Sequence, residues 1–180
     1  MPTEFETAAF ETALTDEAYA AAWRMCRRLA RSPQDAEDLL QDGLTHAFTR
    51  FDQLRDQARF KGWLLSIIRT RHLDGLRRER SRPQATVELP DLADASATEP
   101  LGLDTAAALA RLPQSQQELL SLFYIDGLNL SETGQVLGIR PQVVRQRLYR
   151  ARQALRRQLE STPATQRARR PAGGDCHETR

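Results

Sequence analysis

Residues 130–159 read LSETGQVLGIRPQVVRQRLYRARQALRRQL. Ser131 is expected to cap a short helix, with Glu132 in its first turn facing the positive end of the helix dipole. Gly138 falls where that helix should stop, because glycine tolerates the left-handed conformation that ends helices. Pro141 suits the first position of a second helix, where its missing N–H costs nothing. Val144, Leu148, Ala151, Leu155 and Leu159 then recur at helical spacing as one apolar stripe. The opposite face carries Arg145, Gln146, Tyr149, Arg150, Arg152 and Arg156, while Arg147 is expected to lean toward the core. Between Arg140 and Arg157 stand seven arginines and no acid. A glycine inside a helix costs about 1 kcal/mol, so Gly134 is read as allowing close approach of the two helices. A helix, a tight glycine turn and a basic second helix form a helix-turn-helix, the shape that enters a DNA major groove. The alternative is a solvated amphipathic helix in an all-α core.

Working outward, the 180-residue chain has a net charge of only +2, unevenly spread. Glu4, Glu6, Glu11, Asp16 and Glu17 make the start acidic. Six arginines lie between Arg69 and Arg82, against Asp74 and Glu79. For nucleic acid, such local patches matter more than the total. Of the 26 basic residues only Lys61 is lysine. Arginine suits bidentate contacts to phosphate and guanine, and a codon-composition bias gives the same count. The longest apolar stretch, Trp63 to Ile68, is far below the ~20 residues of a membrane span. The start has no signal-peptide pattern, and Cys26 and Cys176 make no disulfide framework. These features predict a cytoplasmic protein.

The first half reads as three helices. The first runs from about Thr15 to Arg31, with Tyr19, Ala22, Trp23, Cys26 and Leu29 on its apolar side. The second opens with Ser32 as cap and Pro33 as first residue, and buries Ala36, Leu40, Leu44, Ala47 and Phe48. A loop over about Phe51 to Arg59 precedes a third helix, Phe60 to Arg80, with Phe60, Leu64, Ile67, Ile68 and Leu76 inward. Ser81 to Pro100 holds three prolines, several acids and no helical period, so it reads as a flexible acidic linker. Helices follow over Ala106 to Leu112 and Pro113 to Ile125, the latter ended by Asp126-Gly127. The predicted class is all-α: two small helical domains, 15–82 and 101–160, joined by a linker at 83–100. An acidic N-terminal tail (1–14) and a disordered basic tail (161–180) flank them.

Asp35-Ala-Glu-Asp-Leu-Leu-Gln-Asp42 with Ala47-Phe48 resembles the polymerase-binding helix of extracytoplasmic-function (ECF) sigma factors. Phe60-Lys-Gly-Trp-Leu-Leu-Ser-Ile-Ile-Arg69, running into Leu73-Asp-Gly-Leu-Arg-Arg78, resembles their promoter-melting helix. Leu112 through Phe123 and the helix-turn-helix resemble their fourth domain. The likeness covers about Tyr19 to Leu159, with the motifs in the family's order. It implies a dissociable subunit that binds bacterial RNA polymerase core and directs it to chosen promoters, in response to a stress or envelope signal, without catalysis.

By this resemblance Asp35, Asp38, Leu39, Gln41 and Asp42 dock on the coiled-coil clamp of the polymerase's largest subunit. Leu54, Arg55, Asp56 and Gln57 form the base-capture loop at the −10 element. Arg69, Thr70, Arg71, Arg77 and Arg78 contact that element, and Arg80 adds a phosphate contact. Arg140, Gln142, Val143, Arg145, Gln146, Tyr149 and Arg150 contact the −35 element. Two features depart from the family: Thr70 stands where many members carry asparagine, and Leu54-Arg-Asp-Gln57 is not a common form of the loop. Trp63 has two readings, a stacking wedge or core beside Phe60, Leu64 and Ile67. The linker acids Glu88, Asp91, Asp94 and Glu99 fit either a solubilising spacer or an insert near the RNA exit path. An anti-sigma protein is an implied partner.

Two other classes compete. A DNA-binding regulator outside the polymerase would share the helix-turn-helix but need neither the Asp35–Phe48 nor the Phe60–Arg78 motif. An enzyme acting on nucleic acid would need a catalytic constellation. His46, His72 and His177 lack ligand spacing, and the expectation is no metal and no cofactor. Cys176-His177 remains a candidate for metal binding or redox sensing.

Overall fold

A computed structural model describes residues 4–81 and 103–161. Among these residues every regular element is helical. The first half contains α1 (Glu4–Ala13), α2 (Asp16–Leu29), α3 (Pro33–Thr49) and α4 (Phe60–Arg80). The second contains α5 (Leu103–Ala110), α6 (Gln114–Leu120), α7 (Leu130–Leu137) and α8 (Pro141–Ser161). The expected linker and C-terminal tail lie outside the described residues.

Local chemistry sets most boundaries. The Thr15 side chain accepts from the Ala18 N–H at 3.2 Å and opens α2. The Ser32 hydroxyl accepts from the Asp35 N–H at 3.1 Å, with Pro33 as the first residue of α3. Such caps satisfy donors that a helix start otherwise leaves open, each worth about 1 kcal/mol. The Phe51–Arg59 loop contains two 3₁₀ turns, Phe51–Gln53 and Gln57–Arg59.

The first half holds four helices rather than three. α1 anchors itself through Phe10, which is buried and meets Phe48, Phe51 and Phe60 edge-on at 5.2–5.5 Å between ring centroids. The inward face of α2 also differs from expectation. Ala18, Ala21, Ala22, Met25 and Cys26 are buried, whereas Tyr19 is 46% exposed. Small alanines let α2 approach its neighbours more closely than a tyrosine would.

α4 is the central element, packed against α2, α3 and α7. This three-sided contact explains why Leu65 is fully buried along with Phe60, Leu64 and Ile68, since a single inward stripe would leave it out. The second bundle has its own core of Leu112, Leu119, Leu120, Val144, Leu148 and Ala151. Leu122, Leu128 and Val136 pack instead into the core of the first bundle. The two bundles are therefore docked. Gly62 supports this approach, since a Cβ there would lie 3.2 Å from Glu132 Cβ of α7.

Candidate nucleic-acid and polymerase interfaces

The helix-turn-helix forms from local signals, with one correction at its start. α7 begins at Leu130 and its cap is Asn129, not Ser131. The Asn129 side chain accepts from the Ser131 and Glu132 N–H groups, while Glu132 accepts from the Asn129 N–H at 2.9 Å. This reciprocal box satisfies both ends of the first turn. Gly138 closes α7 at φ +68°, the left-handed region that glycine enters without steric cost. Gly134 is buried at the turn, and a Cβ there would sit 2.6 Å from the Ile139 carbonyl oxygen. Glycine is required at that point because the crowding atom is backbone.

Val144, Leu148 and Ala151 fix α8 to the second core and turn its other face outward. Arg140, Gln142, Arg145, Gln146, Tyr149 and Arg150 are exposed, and Val143 is half-buried. Arg147 is exposed too, so it does not lean into the core. Arg145, Gln146, Tyr149, Arg150 and Arg152 line one shallow, open hollow. The Tyr149 hydroxyl accepts from Gln153 at 3.3 Å. Arg152 donates to the Tyr124 hydroxyl at 3.2 Å. Sequence reading passed over Tyr124, an exposed aromatic at the edge of the basic face; the Phe123-Tyr124 pair was its only signal. Chemically, this face offers guanidinium forks, an amide and a phenol at groove-accessible positions.

The second basic surface is on α4 and the loop before it. Arg55, Asp56 and Gln57 are exposed, and Leu54 is half-buried against the first core. Asp56 accepts from the Ala58 N–H at 3.1 Å and pairs with Arg59 at 3.2 Å, which shapes the second 3₁₀ turn. Trp63 packs against the core with its ring 6.0 Å from Phe60. Thr70 is exposed, but its hydroxyl donates to the Ser66 carbonyl at 2.8 Å. Arg77 pairs with Asp74 at 3.0 Å, and Arg78 donates to the Asp74 carbonyl at 3.3 Å. Arg80 is exposed.

The acidic edge of α3 presents Asp35, Asp38 and Gln41 to solvent, with Leu39 and Asp42 half-buried. Helix capping accounts for Asp35 well and for Asp42 poorly, because Asp42 is far from the helix start. The structure gives Asp42 a partner, Arg71 of α4, through a two-pronged bond. A hydrogen bond from Arg71 holds the Asp42 carboxyl below its ordinary range, against a smaller opposing effect of burial.

Four further residues link the bundles. Arg24 and Arg28 of α2 both donate to Asp126, at 2.9 and 2.8 Å, and its side chain is fully buried. Arg69 of α4 donates to Glu118 of α6 at 2.9 Å. Burial pushes the pKa of His72, beside this pair, below the usual histidine value, with Glu118 pulling it the other way. Sequence reading gave Asp126 only as part of a helix end, since its partners lie about a hundred positions away. Among the described residues no group of three or more His, Cys, Asp or Glu side chains is placed to hold a metal ion. None of the described helices is long and apolar enough to cross a membrane.

Residues 14–82 match the family model for sigma-70 region 2, and residues 103–155 match that for sigma-70 region 4. The chain is 32% identical over 137 residues to the ECF RNA polymerase sigma factor SigM of Mycobacterium tuberculosis, covering 76% of this chain and 70% of that one. It is 31% identical over 168 residues to SigL of the same organism, covering 88% and 93%. Among solved structures, the sigma factor RpoE of Bartonella quintana, in complex with the anti-sigma factor NepR, shares the fold. Its TM-score is 0.58 at 22% identity, over 81% of this chain and 94% of that one.

Proposed function

Because this chain belongs to the extracytoplasmic-function sigma factors of the sigma-70 family, we propose that it binds bacterial RNA polymerase core and directs promoter-specific transcription initiation. The observation that carries the reading is a pairing within one chain. A glycine-turned helix-turn-helix with an acid-free arginine face is joined to a bundle with an acidic helix edge and a basic helix. A regulator outside the polymerase needs only the first.

The division of labour follows from the chemistry of each face. Residues 15–82 dock on the polymerase clamp and engage the −10 element, and residues 101–160 read the −35 element. Asp35, Asp38, Leu39, Gln41 and Asp42 meet the clamp helices. Arg55, Asp56 and Gln57 flank the unstacked base, with Leu54 supporting the loop from its half-buried position. Arg69, Thr70, Arg71, Arg77 and Arg78 line the path of the −10 duplex. Each phosphate contact there steepens the salt dependence by about one unit of slope. Arg145, Gln146, Tyr149 and Arg150 face the −35 base edges, and Arg140, Gln142 and Val143 sit near its phosphates. The chain supplies no catalytic group, since bond formation belongs to the polymerase. It works in the cytoplasm, at the nucleoid when active. An anti-sigma protein is the natural negative partner, as the Bartonella relative's title records for that protein.

The test is run-off transcription with this chain, sigma-free core polymerase and fragments that include its own upstream region. Defined transcripts that require the chain are expected. Tight DNA binding by the chain alone, with no transcripts and no binding to core, would overturn the reading in favour of a separate regulator.

A further inference from the structure

We propose that the docked bundles are an off-state built into this chain, in which an ionic latch holds the second bundle over the promoter-melting helix without any second protein. What the latch masks rests on the sigma-factor reading. How it masks rests on geometry alone.

The latch has two parts, and both cross from one bundle to the other. Asp126 receives Arg24 on one carboxylate oxygen and Arg28 on the other, at 2.9 and 2.8 Å. Its side chain is fully buried, while each arginine keeps 27% exposure. Glu118 receives Arg69 at 2.9 Å, with both side chains about one-fifth exposed. Arg69 is one of the residues assigned to the −10 element. In this form its guanidinium is committed to a carboxylate from the other bundle. Glu132 of α7 also lies over Gly62, in the first turn of α4.

The docked form cannot serve both promoter elements. A compact chain of this size has a radius of gyration of only ~15 Å. Elements about 25 base pairs apart lie roughly 85 Å apart along B-DNA, at ~3.4 Å per pair. Segment 82–102, at about 3.4 Å per residue, can reach about 70 Å when extended. The covalent connection therefore permits the separation that the docked contacts forbid. Opening leaves each half with a core, since the second bundle keeps Leu112, Leu119, Leu120, Val144, Leu148 and Ala151. The −35 face stays exposed in the docked form. The latch thus withholds melting while leaving the distal reader free.

Charge is suited to this task. An ion pair exchanges partners with another anion, and the phosphates of a promoter compete for Arg69 directly. Removing one partner from a buried pair leaves an uncompensated charge, which favours the open form strongly.

The experiment places fluorophores on exposed positions of α1 and α8, Glu11→Cys and Arg157→Cys, in a full-length Cys176→Ser chain. Cys26 stays unlabelled because burial pushes its thiol up to about 12. The free chain is expected to show high energy transfer that falls when core polymerase and a promoter duplex are added together. Asp126→Asn should lower transfer in the free chain and raise core-dependent promoter binding at limiting chain by about threefold or more. Glu118→Gln, a milder change at a less buried pair, should shift both in the same direction. Two results would overturn the latch: variants that leave transfer unchanged, or variants that open the chain without altering promoter binding. Run-off transcription by the wild type separates the two ideas. Absent transcripts defeat the sigma reading, whereas transcripts with unchanged transfer on adding core and promoter defeat the latch alone.

Discussion

Arg71 grips Asp42 with two parallel bonds, Nε to Oδ2 at 2.7 Å and Nη2 to Oδ1 at 3.1 Å. One residue of this pair is assigned to DNA and the other to polymerase, so the two surfaces share a joint. The Asp42 carboxyl is held below its ordinary value mainly by the hydrogen bond from Arg71. A depressed folded-state value means that the pair stabilises fully above the unfolded value, near pH 4, and is lost as pH falls through the lowered one. The pair is partly exposed, so Asp42→Asn is expected to cost only about 0.5 kcal/mol at neutral pH. Urea unfolding of both proteins between pH 7 and pH 2 checks this. The difference should persist to about pH 4 and vanish below. A difference that is constant with pH would mean that the pair contributes nothing.

Arg150 reads bases in this assignment, so Arg150→Ala should narrow the affinity gap between cognate and scrambled −35 sites. A bidentate arginine–guanine contact is worth about 1–3 kcal/mol of discrimination. Fluorescence anisotropy with both duplexes at several salt concentrations measures it. A uniform loss on both duplexes would make Arg150 a phosphate clamp instead.

Two glycines should respond oppositely to alanine. At Gly134 the new Cβ would lie 2.6 Å from the Ile139 carbonyl oxygen, and Gly134→Ala is expected to cost about 1–3 kcal/mol as overpacking. At Gly75, in the middle of α4, no atom lies within 4 Å of the added Cβ. There alanine removes the entropic handicap of glycine, and Gly75→Ala should gain about 0.5–1 kcal/mol. Thermal unfolding of the two variants should move in opposite directions.

Phe10 ties α1 to the base-capture loop through its edge contacts with Phe51 and Phe60. Phe10→Ala should cost about 3–5 kcal/mol, with Phe10→Leu clearly milder. Denaturant titration measures both. A loss below about 1 kcal/mol for the alanine variant would mean that α1 is not part of the core.

Thr133 is fully buried in α7, and its hydroxyl has no hydrogen-bond partner among the described residues. An unsatisfied buried hydroxyl costs about 1–3 kcal/mol. Thr133→Val keeps the shape and removes the polar atom, so it should raise the unfolding temperature. A lower temperature would show that the hydroxyl is bonded in solution.

Legibility in the sequence followed the range of each signal. Ser32-Pro33, Thr15, Gly138 and Pro141 act on their own turns, and all four sit where they were expected. Asn129 was missed by one position because Asn and Ser both cap. The deciding fact was Glu132, three residues after Asn129 and only one after Ser131. α1 was missed because acids dominate its surface, while its anchor Phe10 finds its aromatic partners about forty and fifty residues away. Tyr19 and Leu65 exchanged places with expectation for a related reason: α2 packs through alanines, and α4 is buried on several sides. The candidate faces of α3 and α8 were readable as helical stripes. The Arg24–Asp126–Arg28 contact was not, since nothing local to Asp126 points to α2.

The turn at Ser121–Ile125 is wider than an α-turn, with the Asp126 N–H donating to the Ser121 carbonyl five positions back. Such a π-turn is an α-helix carrying one residue too many. Deleting any one of those five restores ordinary spacing and swings the following chain by about 100° around the axis. Asp126 would then point away from Arg24 and Arg28, although every side chain in the contact survived. This segment is accordingly sensitive to the number of its residues as well as to their kind, and a single-codon deletion there acts as a rotation.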